Sequence, residues 1–91
     1  MAKLRYKSII PNTKPEWLLQ LQVDISNQHY YVPFSDLETL KRFIDDRIHG
    51  LIMNGTINRS IVSTEVRTDS GKTVLLIIRN ERVIQTYYFE S

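Results

Sequence analysis

Three short stretches of this chain carry residue types and spacings that could do chemistry. The first is TDSGKTV, Thr68 to Val74, in which Gly71-Lys72-Thr73 ends as a phosphate-binding P-loop ends. A P-loop cradles phosphates with backbone N–H groups, and it needs another glycine five positions before the one preceding the lysine. Val66 stands there instead. The loop must also open a helix whose N-terminus faces the phosphate, whereas Val74-Leu75-Leu76-Ile77-Ile78 follows and reads as a strand. The motif is therefore expected to be a hairpin turn, opened by Asp69 and Ser70, with Gly71 in the left-handed conformation.

The second and third stretches hold the histidines and paired acids. His49 follows Asp45 by four residues, a spacing that could serve as an acid–base pair or as a weak helix-stabilising pair. A working acid or base also needs a cleft and a third group to orient it, and the sequence shows neither. Asp45-Asp46 invites a carboxylate-dyad reading, but neighbouring helix positions point about 100° apart, so both are expected to be solvated charges. His29 sits in a polar stretch, and neither histidine has another histidine or a cysteine at metal-ligand spacing. No catalytic residue, metal site, cofactor or small-molecule ligand is inferred.

Two binding features remain. The first fifteen residues carry Lys3, Arg5, Lys7 and Lys14 with no acid, a local charge of +4, while the other seventy-six hold eight bases and ten acids. Such a cluster can seat a phosphate backbone, and it can equally keep a terminal edge strand from pairing with other chains. Tyr30-Tyr31 and Tyr87-Tyr88 are adjacent pairs, so on strands one ring of each points away from the core. Tyr31 and Tyr88, with Leu75 and Ile77 beside them, would then form an aromatic and apolar patch suited to a protein interface. The same rings on an open sheet could stack bases.

The elements that must position these residues follow from periodicity. Leu4, Tyr6 and Ile10 alternate with Lys3, Arg5 and Lys7, which predicts a half-buried first strand ended by the loop from Pro11 to Pro15. Trp17, Leu19, Leu21, Val23 and Ile25 alternate with Gln20, Gln22 and Asp24, which predicts a second strand. Ser26 to His29 would turn it into a short third strand from Tyr30 to Phe34. At Ser35-Asp36-Leu37-Glu38 the period switches: a capping box opens a helix, with Leu37, Leu40, Ile44, Ile48 and Leu51 on its inner face. Asn54-Gly55 is expected to end it. Three strands at 60–67, 73–79 and 83–89 then form an antiparallel meander, the middle one apolar on both faces and so central. The expected fold is α+β, with a single amphipathic helix on one face of an antiparallel sheet of five or six strands, in the order β-β-β-α-β-β-β.

Ninety-one residues make one domain, 1–91, able to bury a core without staples. The chain has no cysteine, so disulfides and thiolate metal sites are excluded. The opening residues, MAKLRYKSIIPN, hold no apolar segment of the length a signal peptide needs, no run of about 18 apolar residues occurs, and a soluble, cytoplasmic protein with no membrane contact is expected. Small basic ribonuclease toxins of the RelE type are about this size and also finish in a strand meander, but they pass from their first strand into helices. Here WLLQLQVDI stands in that place as a hairpin, so none of their residues is carried over. The function expected is a non-enzymatic binding module that pairs with itself or another protein through its sheet face or edge. The alternative is a single-stranded nucleic-acid binder using the basic first strand and exposed tyrosines.

Overall fold

The computed structural model of the chain describes residues 3–8, 14–59 and 61–90. They form, in order, β1 (Lys3–Ser8), α1 (Glu16–Tyr31), α2 (Leu37–Met53), β2 (Val62–Asp69), β3 (Lys72–Arg79) and β4 (Arg82–Glu90). The strands make one antiparallel sheet in the order β1-β4-β3-β2. The α+β class is as expected, with β3 inside the sheet. The five or six strands and the single helix are not: there are four strands and two helices, in the order β-α-α-β-β-β.

The difference lies between residues 16 and 31. The alternation read as a strand, the turn after it, and Tyr30 and Tyr31 of the short third strand are one sixteen-residue helix, while Val32 to Phe34 lie in the loop before α2 and form no strand. At about 100° per residue, positions two apart fall on nearly opposite sides of a helix, and positions four apart return within about 40°. Trp17, Leu21 and Ile25 therefore share one side with Leu18, while Leu19 and Val23 lie on the other. Leu18, Leu21 and Ile25 are buried, whereas Leu19 and Val23 are half exposed. A helix with two apolar sides reads as a strand when its pattern is counted in twos. Its ends were marked nonetheless: Pro15 presets the backbone ahead of the first turn, Glu16 is acidic there, and Pro33 follows the last turn. With α1 in place, the chain does pass from its first strand into helices, and the ground for the contrast with RelE-type toxins falls away.

The second helix carries the stripe expected of it. Leu37, Leu40, Ile44 and Ile48 are buried, and Asn54 with Gly55 (φ 83°) ends it. The Gly55 N–H donates to Ile52 and the Thr56 N–H to Leu51, which satisfies carbonyls of the last turn. The N-cap, however, is Asp36 rather than Ser35. One Asp36 oxygen accepts from the backbone N–H and from the hydroxyl of Thr39, each at 2.8 Å, while Ser35 meets only the Thr39 hydroxyl, at 3.5 Å. A charged acceptor at a helix N-terminus competes better for that N–H than a neutral hydroxyl. These bonds hold the Asp36 carboxyl below its usual range, the Thr39 backbone N–H contributing most. Asp36→Ala is expected to lower the melting temperature by about 5 °C at neutral pH, and Ser35→Ala by much less. The depressed pKa places the Asp36 contribution above the ordinary carboxylate range, and it is lost as the pH falls through the lowered value. Melts of both variants at neutral and acidic pH check the assignment.

Both turns of the meander are two-residue reversals with positive φ at each central position: Ser70 (54°) and Gly71 (75°), then Asn80 (52°) and Glu81 (66°). Gly71 thus belongs to a hairpin, as the failed P-loop spacing implied. The core joins Leu18, Leu21 and Ile25 of α1 and the α2 stripe to Val62, Leu75, Ile77, Ile84 and Tyr87, so both helices lie on one face of the sheet. A register shift between Ile77 and Ile78 opposes an additional β4 residue to β3, and Ile84 and Gln85 are both buried there.

Candidate functional site

The other face of the sheet is covered by no described element. Alternation along β1 turns Leu4 and Tyr6 toward the helices and leaves Lys3, Arg5 and Lys7 exposed on the outer face. Arg5 lies opposite Tyr88 and Lys7 opposite Thr86 in the β1–β4 register. From the other side, the Lys72 ammonium lies 5.3 Å from the centre of the Tyr88 ring. The half-buried Tyr88 is thus set between a cation from each neighbouring strand. Farther across, Arg67 is paired with Val74 and Glu65 with Leu76. The face carries five cations, Lys3, Arg5, Lys7, Arg67 and Lys72, against Glu65, Asp69 and Glu90.

Arg5 contacts Glu90 at 3.4 Å and Arg67 contacts Glu65 at 2.8 Å, both as exposed pairs. Such pairs are worth at most about 1 kcal/mol, so they compete weakly with an incoming phosphate. Among the described residues Lys3, Lys7 and Lys72 are in no ion pair. Lys14, the fourth base of the N-terminal cluster, precedes α1 and is not part of β1.

The four residues expected at a protein interface do not come together. Leu75 and Ile77 are completely buried beneath the helices. Their strand is apolar on both faces, and the sequence could not say which face the helices would take. Tyr88 is on the outer face. Tyr31 is in the last turn of α1 rather than on a strand, 79% exposed, with its ring edge-on to that of Tyr30 at 5.0 Å. Tyr87 is the buried member of its pair.

The acid–base readings end differently too. Asp45 does not meet His49: it accepts from Lys41 at 2.7 Å and from the Thr64 hydroxyl, tying α2 to β2. It is half-buried rather than a freely solvated charge, as Asp46 is. His49 lines a groove of about 480 Å³ between α1 and α2, with Trp17, Asp24, Asp46 and Asn54. His29 closes the α1–α2 loop, its Nδ1 accepting from the Phe34 N–H at 3.0 Å while its ring stacks on Phe34. Among the described residues no three His, Asp or Glu side chains converge as a metal site requires. None of the described helices is long and apolar enough to cross a membrane.

Two features were not foreseen. The first is a buried polar cluster where α1 meets the sheet. The Tyr87 hydroxyl donates to Gln22 Oε1 at 2.9 Å, and Ser8 donates to Gln85 Oε1 at 2.6 Å. Gln85 is 1% exposed and its amide nitrogen lies within 3.5 Å of both the Gln22 carbonyl and the Tyr87 oxygen. Burial pushes the Tyr87 phenol up to about 12 against the opposing hydrogen bond from Gln85. The second is an open cleft of about 1190 Å³ between the α1–α2 loop and the β2–β3 turn, walled by Leu4, Phe34, Leu37, Val66 and Phe89. Lys3 and Lys72 line it as well, so it adjoins the basic face. Its apolar walls come from four separate elements and a loop, and no local pattern could have announced it.

No protein-family model, no curated protein and no solved structure matches this chain.

Proposed function

We propose that the chain is a non-enzymatic binding module whose uncovered sheet face takes single-stranded nucleic acid. The observation that carries this reading is Tyr88 between Arg5 and Lys72 on that face, with Lys3 and Lys7 along the same edge. An aromatic ring offers a stacking platform that tolerates any base, and cations on both sides of it can follow the phosphates. A protein interface is a poorer fit to this face, because interface centres are depleted in lysine. Self-association is the other function expected of the chain, and the exposed apolar and aromatic residues Leu19, Val23, Tyr30 and Tyr31 are on α1 rather than on this face.

The test is fluorescence anisotropy with labelled single-stranded RNA and DNA over a range of salt. For three phosphate contacts the log–log slope should have a magnitude of about 2. Lys3, Arg5 and Lys7 replaced together by glutamine should flatten that slope and remove most of the affinity. Tyr88→Ser should weaken binding by about 1–3 kcal/mol with the slope kept. A parent that binds neither strand, or binds without salt dependence, overturns the proposal. Shortened oligonucleotide after incubation would replace binding by cleavage.

A further inference from the structure

The outward side of α1 is apolar as well as its inward side. Leu19 and Val23 are about half exposed, Tyr30 is 80% exposed and Tyr31 79%. Leu19, Val23, Ser26 and Tyr30 follow one another at spacings of four, three and four, which places them in a single seam along the helix. Tyr6, itself half exposed, borders the seam across a groove that Ser26 and Tyr30 also line. A soluble chain does not hold a leucine, a valine and three tyrosines together in water without consequence.

We infer that this seam is the contact surface for a second copy of the chain, the two α1 helices packing antiparallel about a two-fold axis. The order of the seam argues for that occupant. Reversed against itself, it sets Leu19 against Tyr30 of the partner subunit and Val23 against Ser26 of the partner subunit, and the two-fold repeats both layers. A large residue meets a large one at the ends, and a small one fills the middle. On the flank, the exposed Gln20 faces Asn27 of the partner subunit, two amides that can each donate and accept.

No like charges meet in this arrangement, because the only charged residues of α1 are Glu16 and Asp24. The same absence of lysine and arginine makes α1 a poor match for an anionic lipid surface. The apolar residues of the seam and its border expose on the order of 500 Å² per copy, and the polar flank brings this close to the roughly 800 Å² per partner of a standard interface. The helices lie on the opposite face of the sheet from Tyr88, so the dimer leaves both basic faces open.

Sedimentation from about 1 to about 100 µM protein tests this directly. The parent should pass from 10.7 kDa to twice that mass, and high salt should not reverse it. Leu19→Glu and Tyr30→Lys should each weaken the dimer, the former by at least about a hundredfold. Combined in one chain, their new charges face each other across the two-fold, and the double variant should regain the dimer. Both positions are exposed, so the melting temperature of monomeric variants should stay near that of the parent. A parent that remains at 10.7 kDa throughout, one that instead floats with phosphatidylcholine vesicles, or a dimer that survives Leu19→Glu, overturns the inference. A double variant that stays monomeric overturns the antiparallel register. Oligonucleotide binding is read separately: Leu19→Glu should keep it per protomer, so the two proposals fail independently.

Discussion

Ile77→Ala is expected to cost about 2–4 kcal/mol of folding stability, and Leu75→Ala a similar amount. Both side chains are completely buried at the centre of the sheet, beneath the helices and among Leu40, Ile44 and Tyr87. Truncation there removes apolar contacts and leaves a cavity that closely packed neighbours fill only in part. A domain of this size is stable by about 5–14 kcal/mol, so either change takes a large share of the whole. Urea denaturation should show a lower midpoint with the slope unchanged. Below the transition each variant should bind oligonucleotide and self-associate as the parent does, because neither residue reaches a surface. If Ile77→Ala melts like the parent, or loses binding while still folded, the helices do not cover that face.

What the sequence disclosed depended on how many of its physical signals agreed. In α2 a one-sided stripe, an acidic cap region and a terminal Asn-Gly all gave one answer, and the helix lies within two residues of its expected start. The meander had apolar strands and short polar turns, and its strands are shifted by only a residue or two. In α1 the signals conflicted. Pro15, Glu16 and Pro33 marked helix ends, but Leu19 and Val23 on the outward side filled the gaps in the helical pattern and produced an alternation of two. If the outward seam serves a second copy, the residues that concealed the helix are the ones its function requires.

The candidate site was half legible for a related reason. Lys3, Arg5 and Lys7 alternate cleanly with Leu4 and Tyr6, so their common face could be read from β1 alone. Their meeting with Tyr88 and Lys72 depends on β1 pairing with β4, more than seventy residues away, and nothing local encodes that pairing. Leu75 and Ile77 were assigned to the open side because an all-apolar strand gives no preference between faces. The Asp45–His49 pair failed because Thr64 of β2 and Lys41 take the carboxylate.

At alkaline pH the buried Tyr87 should dominate the loss of stability. Its phenol is pushed up to about 12 by burial, while in the unfolded chain it titrates at an ordinary value near 10. Between those values the unfolded chain releases the proton and the folded chain retains it, so unfolding becomes more favourable as the pH rises. The contribution is therefore fully present below pH ~10 and lost across the interval up to about 12, amounting to about 2–3 kcal/mol. Tyr87→Phe removes the titrating group and keeps the ring. At neutral pH it should cost about 1 kcal/mol, the value of the hydrogen bond given to Gln22, with Gln85 still bonded to Ser8. As the pH rises past 10, the gap between parent and variant should close and then reverse, since lysine and arginine titrations are common to both. Denaturation curves of the two proteins at a series of pH values decide it. A stability difference that stays constant from neutral to strongly alkaline pH would mean that the phenol reaches water, and that α1 does not seal the polar cluster against β4.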